Sequence, residues 1–277
     1  MVGRRSDGYH ELESLFLPLD LADEVALDVE EAAATRVVLE LAGEAAGIPA
    51  DAENLAVRAG ERFLETAGLR CVLRIRLAKR IPAAAGLGGG SSDAGAVLHG
   101  LAGLFPGVLD QAALLRLAVS LGADVPFFLD PRPMLVSGIG ERCEPLPGPW
   151  SARALVLANP GVALSTAQVY QAFDASRPAG APPGLRPLLE AVRGAPADGR
   201  ALAALLENDL EPAALRLCPD IAKLRGGLRE AGALAVGMSG SGPTMFGVFG
   251  SEQQAASALG RLRAAVWARV ARTRESR

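Results

Sequence analysis

The segment KRIPAAAGLGGGSSDAGAVL, residues 79–98, decides how this chain is interpreted. Gly86, Gly88, Gly89 and Gly90 occupy four of five consecutive positions in it. A glycine in an ordered segment costs roughly 0.5–1 kcal/mol relative to alanine. A cluster of them therefore indicates that the backbone approaches another group closely or adopts positive φ angles.

The flanking segments predict a strand, a loop and a helix in that order. Residues 71–78 alternate between two faces, as the residues of a strand do. Ser91 or Ser92 suits a helix N-cap, Asp93 suits the first turn, and residues 94–104 continue the helix. The loop thus ends at a helix N-terminus, where free N–H groups and the dipole attract an anion.

Two well-known phosphate motifs are excluded. No Gly-Lys-Ser/Thr closes the loop, so it is not a P-loop. It also departs from G-x-G-x-x-G, because Ser91 replaces the last glycine and no acidic residue ends a second strand about 20 residues later. The alternative is a flexible surface turn, but plain turns rarely need so many glycines. We expect phosphate binding.

Composition limits the class of protein. The 277 residues are 50% hydrophobic and 21% charged, with a net charge of −3 and a pI near 5.6. A general nucleic-acid-binding protein needs a basic surface, so that class is excluded. Cys71, Cys143 and Cys218 are widely spaced and lack C-x-x-C, so we expect reduced, buried thiols. No apolar run reaches 18 residues and no signal peptide is evident, so neither a membrane span nor export is expected, and the cytoplasm is the expected location.

The pattern predicts an α+β fold in two domains, residues 1–146 and 151–277, separated by the proline-rich segment 143–150. In the first domain, strands at 24–30 and 36–41 are expected to be neighbours, followed by helices at 54–67 and 111–121. In the second, a strand at 154–158, short helices, and strands at 233–238 and 244–249 precede a terminal helix. The expected bounds of those helices are 166–173, 187–206, 219–230 and 253–270.

Three further motifs bear on chemistry, and each has a structural alternative. Asp124 lies in LGADVPFF, among apolar residues, where a carboxylate needs a hydrogen-bonding partner or a catalytic role. It either caps the next turn or orients a hydroxyl that accepts a phosphoryl group. The glycines of GSGP, Gly240 and Gly242, either form a hairpin or bind a ligand. In DGYHEL, Tyr9 and His10 either fill a turn or stack on and hydrogen-bond a base.

Taken together, the order DGYHEL, PAAAGLGGGSSDA, GADVPFFL, GSGPT resembles the GHMP small-molecule kinases over nearly the whole chain. The glycine loop and GSGPT are shared across that superfamily, whereas DGYHEL with GADVPFF is specific to one branch, which phosphorylates a cytidine-diphosphate-linked polyol. The resemblance implies a two-domain GHMP architecture. Its N-terminal domain binds the nucleotide and its C-terminal domain is a ferredoxin-like α/β sandwich.

The resemblance also implies the site residues. Asp124 is implied as the catalytic carboxylate, and Asp93 is expected to be a first-turn carboxylate and not a metal ligand. The residues implied to bind ATP are Asn54, Lys79, Pro82, Ala83, Ala84, Ala85, Gly86, Leu87, Gly88, Gly89, Gly90, Ser91 and Ser92. The residues implied to bind the acceptor, with the cytosine between two tyrosines, are Tyr9, His10, Thr166, Tyr170, Gly240 and Gly242.

One family feature is not found in this sequence. The family carries an apolar strand with a Pro-Ala-Lys-x-Asn-Leu-like motif ahead of DGYHEL, and its lysine pairs with the catalytic aspartate. This sequence begins Met1-Val-Gly-Arg-Arg, and by family spacing Arg4 and Arg5 fall beyond that strand and are not expected to substitute. We expect a misplaced or clipped start, with a rate loss on the order of 10²–10³-fold or more if the lysine is absent.

The implied activity is in-line phosphoryl transfer from ATP, with Mg²⁺, to a hydroxyl of the erythritol part of the acceptor. The Mg²⁺ ligands are not identified by sequence. The expected partner is a small molecule with a cytidine diphosphate group, with no nucleic acid or membrane, and the chain is expected to be a monomer or weak homodimer. Two alternatives remain: an inactive nucleotide-binding pseudokinase, and another GHMP enzyme such as a mevalonate or homoserine kinase.

Overall fold

The computed structural model describes residues 1–4, 10–146, 153–176, 185 and 206–274. The chain divides into two compact units. The N-terminal unit comprises Leu21–Ala83 and Gly88–Leu146, and the C-terminal unit comprises Met1–Asp20, Ala84–Leu87 and Pro147–Arg277. The predicted break near residue 146 lies at a boundary between units, but the first twenty residues and residues 84–87 belong to the other unit than expected.

Contacts of the first twenty residues explain that difference. The amino group of Met1 pairs with Asp209, and Leu19 forms a β-bridge with Thr273. The backbone N–H of Asp20 donates to the carbonyl of Arg272 at 2.9 Å. This segment is therefore tied by its backbone to the end of the chain, although it is distant in sequence.

The N-terminal unit is built on a three-stranded sheet of β3 (Glu24–Glu31), β4 (Arg36–Gly43) and β5 (Cys71–Lys79). The expected pairing of the first two strands is wrong, because β5 lies between them. It runs antiparallel to β3 and parallel to β4. A parallel pair needs a crossover, which α1 (Leu55–Ala67) supplies, and this leaves the far edge of β5 for β3.

Helices α1 and α2 (Gly89–Leu104) pack on this sheet, and α3 (Gln111–Leu121) packs on both of them. Asn54 and Asp110 are the N-caps of α1 and α3, and each accepts a hydrogen bond from a backbone N–H of the first turn. A 3-10 helix (Val125–Leu129) follows, and β6 (Met134–Gly138) and β7 (Arg142–Pro145) form a hairpin that the sequence analysis missed. The buried side chains that fill this core are Phe63, Leu64, Leu73, Ile75, Leu77, Leu98 and Leu101.

The C-terminal unit begins with β1 (Gly3–Arg4) paired to β2 (His10–Phe16). Its main sheet has the order β11-β8-β10-β9, and every neighbouring pair in it is antiparallel. Along the described residues, helices separate β8 from β9 and β10 from β11, which is the ferredoxin-like arrangement that was expected. The elements are β8 (Ala154–Asn159), α4 (Thr166–Asp174), α5 (Glu211–Leu217), α6 (Asp220–Glu230), β9 (Ala235–Met238), β10 (Met245–Phe249), α7 (Glu252–Leu259) and β11 (Trp267–Arg272).

Two predicted elements of this unit need comment. The terminal helix expected over 253–270 is wrong beyond Leu259, because β11 occupies 267–272 and pairs with the full length of β8. Its sequence WARVAR repeats two apolar residues and one arginine, so it lacks the two-residue period that would indicate a strand. Helix α5 was not predicted, and the run expected at 187–206 lies almost wholly outside the described residues. Among the described residues, no helix has the length and apolarity to cross a membrane.

Candidate active site

Helix α2 starts directly within the glycine cluster. The expected N-cap at Ser91 or Ser92 is wrong: the cap is Gly88, whose φ is +69°, and the helix begins at Gly89. The first helical hydrogen bond runs from the N–H of Ser92 to the carbonyl of Gly88 at 2.8 Å. The N–H groups of Gly89, Gly90 and Ser91 come before it, so the helix cannot satisfy them and they are suited to an anion.

The loop ahead of the helix has an unusual backbone. Ala84, Gly86 and Gly88 have φ angles of +50°, +72° and +69°, with one residue between each pair. Successive N–H groups in such an alternating backbone turn toward one centre and form an anion-binding concavity. Ala84 is the only described non-glycine residue with positive φ, and backbone strain of this kind is concentrated at binding sites.

Gly86 is required because another backbone lies against it. A Cβ at this position would lie 2.6 Å from the carbonyl oxygen of Gly242 and 2.7 Å from that of Ser239. The Ser239 hydroxyl also donates to the carbonyl of Gly86 at 2.8 Å. The GSGP turn thus contacts the tip of the glycine loop, residues 84–87, within the C-terminal unit. For Gly240 and Gly242 the structure gives this packing role, and their contact with the acceptor stays a prediction.

In the N-terminal unit, glycines bring α2 against the 3-10 helix that follows Asp124. A Cβ at Gly88 would lie 2.9 Å from the ring of Phe128, and one at Gly95 would lie 2.6 Å from the Phe128 Cβ. This packing fixes the 3-10 helix, and with it Asp124, relative to the start of α2.

Asp124 has no structural task among the described residues. It stands at the N-cap position of the 3-10 helix but forms no capping hydrogen bond, so the alternative that it serves as a cap is wrong. Burial raises the pKa of its carboxyl above the ordinary value. The charge of Asp124 in turn contributes to a raised pKa of the Cys143 thiol, which is raised first by burial. A half-buried carboxylate with no ion pair among the described residues is typical of a catalytic group.

Asn54 and Lys79 have structural partners. The Asn54 side chain caps α1 through Ala56 and donates to the carbonyl of Pro49 at 2.8 Å. The Lys79 ammonium is buried and forms ion pairs with Asp23 and Asp93. Direct contact of either side chain with a nucleotide stays a prediction that these bonds do not support.

Asp93 has a different role from the one expected. It lies beyond the first turn of α2, is buried, and hydrogen-bonds the Lys79 ammonium at 2.6 Å. Burial raises the pKa of its carboxyl to about 6, and Lys79 opposes part of that rise. Asp23, the other carboxylate, could not be identified from the sequence, because it precedes β3 and is far from the motif along the chain.

His10 and Tyr170 are close together in the C-terminal unit. Their ring centroids are 5.0 Å apart, and the edge of Phe173 packs on His10 at 6.1 Å. The Nε2 of His10 lies 2.6 Å from the carboxylate of Asp174, a residue that the sequence analysis missed. A carboxylate accepts, so Nε2 carries a hydrogen and the ring orientation is fixed. Tyr9, the other predicted stacking residue, lies outside the described residues.

The GSGP turn is held by two further side chains. Thr166 and Ser241 share a hydrogen bond of 2.9 Å between their hydroxyls. The amide of Asn208 donates to the carbonyls of Met238 and Gly240 at 2.9 and 2.8 Å. Asn208 was not singled out from the sequence, because an asparagine ahead of a short helix carries no signal of this contact.

Family models match both parts of the chain: "GHMP kinases N terminal domain" over residues 54–130 and "GHMP kinases C terminal" over residues 183–268. A 4-diphosphocytidyl-2-C-methyl-D-erythritol kinase from Anaeromyxobacter sp. is 45% identical over 92% of this chain and 79% of its own length. The enzyme of that name from Pelotomaculum thermopropionicum is 40% identical, with coverage of 95% and 89%. The one from Symbiobacterium thermophilum is 42% identical, with coverage of 95% and 90%.

Solved structures agree with these relatives. A crystal structure of 4-(cytidine 5'-diphospho)-2C-methyl-D-erythritol kinase matches with a TM-score of 0.79 and 39% identity over 98% of this chain and 93% of the other. The L. major mevalonate kinase in complex with R-mevalonate has a TM-score of 0.75 at 16% identity, covering 96% and 91%, which supports the fold alone. The chain therefore belongs to the 4-diphosphocytidyl-2-C-methyl-D-erythritol kinase family of GHMP kinases.

Proposed function

We propose that this chain transfers the γ-phosphoryl group of ATP to the 2-hydroxyl of 4-diphosphocytidyl-2-C-methyl-D-erythritol, a step of non-mevalonate isoprenoid biosynthesis. The observation that carries the proposal is the start of α2 at Gly89, directly after a loop of alternating positive φ angles. Helix α2 packs on the 3-10 helix that follows Asp124, a half-buried carboxylate without an ion pair among the described residues. Relatives at 38–45% identity carry the name of this enzyme.

The donor phosphates are proposed to bind the glycine loop from Pro82 to Ser92. The N–H groups of Gly89, Gly90 and Ser91 supply donors that need no rearrangement, and the positive end of the α2 dipole favours the negative charge. Phosphoryl transfer depends mainly on positioning and on charge stabilisation, so a rigid cradle of backbone donors is a suitable device.

Asp124 is proposed to orient the 2-hydroxyl of the acceptor and to accept its proton as the bond to phosphorus forms. Its raised pKa makes it a better proton acceptor than an ordinary aspartate. It is ionised when the pH exceeds that raised pKa, so the rate should fall at acidic pH. The surrounding Val125 and Phe127 are buried and limit the access of water to this carboxylate.

The cytosine is proposed to bind in the C-terminal unit, through His10 and Tyr170, with Tyr9 as the second stacking residue. With Nε2–H committed to Asp174, a neutral His10 presents Nδ1 as an acceptor. An acceptor fits the exocyclic amino group of cytosine and not the carbonyl of uracil. Recognition of the base would then use binding energy remote from the reacting atoms to orient the hydroxyl.

Mg²⁺ is expected with ATP, where it neutralises charge on the phosphate oxygens. No group of three or more His, Cys, Asp or Glu side chains that could hold a metal occurs among the described residues. Mg²⁺ is bound largely by substrate phosphates and water and needs only one or two protein oxygens. The three free thiols support a reducing, cytoplasmic setting.

The test is an ADP-release assay with ATP, Mg²⁺ and one of three acceptors: 4-diphosphocytidyl-2-C-methyl-D-erythritol, mevalonate or homoserine. We expect turnover with the first alone. Turnover with mevalonate or homoserine would assign the chain to another GHMP activity. Binding of ATP and of the cytidine compound without turnover would support the pseudokinase alternative.

A further inference from the structure

A buried group of three charged side chains contacts the residues at the two ends of the glycine loop and has no place in the proposed chemistry. It consists of Asp23, Lys79 and Asp93, whose side chains are 2%, 3% and 5% exposed. All three belong to the N-terminal unit. Lys79 ends β5, Asp23 immediately precedes β3, and Asp93 lies in α2. We refer to these three residues as the charge cluster.

The charge cluster holds the segment that enters the glycine loop. One oxygen of Asp23, Oδ1, accepts hydrogen bonds from the backbone N–H of Arg80 at 2.6 Å and of Ile81 at 2.9 Å. Its other oxygen pairs with the Lys79 ammonium. Asp23 thus fixes the backbone directly ahead of Pro82, where the loop begins.

The same ammonium holds the segment that leaves the loop. Lys79 Nζ donates to Oδ2 of Asp93 at 2.6 Å, within α2. It also lies 3.6 Å from the position that a Cβ on Gly89 would take, and Ile81 lies 3.0 Å from that position. The first turn of α2 therefore packs directly on the entry segment, and a side chain at Gly89 would have to displace Ile81.

A loop rich in glycine loses much conformational entropy when it closes around a ligand. Fixing both of its ends in advance lowers that loss and raises affinity. We propose that the charge cluster is a positioning device that joins the two ends of the glycine loop, and that it sets the affinity for ATP without affecting the affinity for the acceptor. The inference rests on the proposed function only in taking ATP as the ligand of the loop.

The arrangement of charges supports a positioning role over a purely stabilising one. Two carboxylates share one ammonium, so the charge cluster carries an excess negative charge in a buried place, which apolar side chains of similar volume would avoid. Oδ1 of Asp93 is buried and has no hydrogen-bond partner among the described residues. An unpartnered buried acceptor costs free energy, so stability alone does not account for this arrangement.

The test compares two variants of the charge cluster with one control. Asp93→Asn keeps the shape and an acceptor oxygen for Lys79 but removes the charge, and Asp23→Asn does the same on the other side. The control is Arg76→Met on β5, the strand that Lys79 ends. It breaks an ion pair with Asp28 of β3, and both side chains are more than half exposed. Arg76 has no role in the proposed site.

Binding of ATP alone is measured by calorimetry, and KM is measured for ATP and for the acceptor. We expect Asp93→Asn and Asp23→Asn to raise the Kd and KM for ATP about five- to tenfold, with the acceptor KM within about twofold of wild type. Arg76→Met should leave all of these within about twofold. An ATP Kd unchanged in both cluster variants, or an equal rise in both KM values, would overturn the proposal.

Amide hydrogen exchange gives a second readout that does not depend on activity. Asp93→Asn should speed exchange over residues 80–92, with other segments of the N-terminal unit unchanged. Faster exchange throughout that unit would assign the charge cluster a general stabilising role and overturn the proposal. A wild-type chain that binds ATP but phosphorylates no acceptor would contradict the proposed function alone, whereas one with no affinity for ATP would contradict both.

Discussion

Replacing Gly86 with alanine tests why the loop contains so much glycine. At this position φ is +72°, and an added Cβ would lie 2.6 and 2.7 Å from two carbonyl oxygens of the GSGP turn. Both are backbone atoms, so neither can rotate away. The left-handed backbone costs alanine about 1–2 kcal/mol, and forcing a methyl group into a packed contact costs about 1–3 kcal/mol more. We expect Gly86→Ala to lower the free energy of unfolding by about 2–5 kcal/mol.

The matched control is Gly232→Ala, in the same unit. Gly232 also has a positive φ, +93°, but nothing lies within 4 Å of an added Cβ. Gly232→Ala should therefore lower the free energy of unfolding only by the cost of the left-handed backbone, about 1–2 kcal/mol. Both variants are unfolded in urea and followed by circular dichroism, and their ATP affinities are measured by calorimetry. Gly86→Ala should also weaken ATP binding, whereas Gly232→Ala should not. Equal losses of stability in the two variants would refute the argument from close approach.

Three further predictions concern carboxylates. Asp124→Asn should lower kcat on the order of 10²–10⁴-fold and remove the fall of kcat at acidic pH, whereas the affinity for ATP should change little. A kcat near that of the wild type would exclude a catalytic role for Asp124. Asp174→Asn should raise the acceptor KM about tenfold, because His10 loses its fixed orientation. It should also reduce the preference for the cytidine acceptor over the uridine acceptor. An unchanged preference would contradict the role proposed for the His10–Asp174 pair. The pKa of Asp93 is about 6 in the folded state, above the ordinary 3.8, so its carboxyl binds more protons in the folded state than in the unfolded state. Its contribution to stability is therefore present below about pH 4 and is lost as the pH rises through 6. Relative to Asp93→Asn, the free energy of unfolding of the wild type, measured by urea titration, should fall by up to about 3 kcal/mol over that pH interval. Parallel pH profiles of the two proteins would contradict a buried Asp93 with a raised pKa.

The sequence predicted correctly those helices and strands whose residue pattern lies within the element itself. The alternation of 71–78 predicted β5, and the helices expected at 54–67 and 111–121 correspond to α1 and α3; the structure confirms each. The N-cap of α2 was misplaced, because serine is the stronger cap in general. Here the loop approaches α2 with φ of +69° at Gly88, a conformation that serine tolerates poorly.

The parts that sequence could not predict depend on contacts between distant segments. The order β3-β5-β4 follows from which strand the α1 crossover returns to, and this has no local signal. The partnership of Asp23, Lys79 and Asp93 likewise joins residues 14 to 70 positions apart. The strand β11 was mistaken for helix because the expected helix was extended past Gly260, which caps α7, into WARVAR, whose residues lack the period of a strand.

The central claim is tested most directly by the structure of the product. The chain is incubated with ATP, Mg²⁺ and 4-diphosphocytidyl-2-C-methyl-D-erythritol, and the mixture is followed by ³¹P NMR. The account predicts a new phosphate monoester resonance coupled to the methylerythritol 2-position, equimolar ADP and an intact cytidine diphosphate linkage. ADP formed without that monoester, or no reaction by a chain that is folded and binds both substrates, would contradict it.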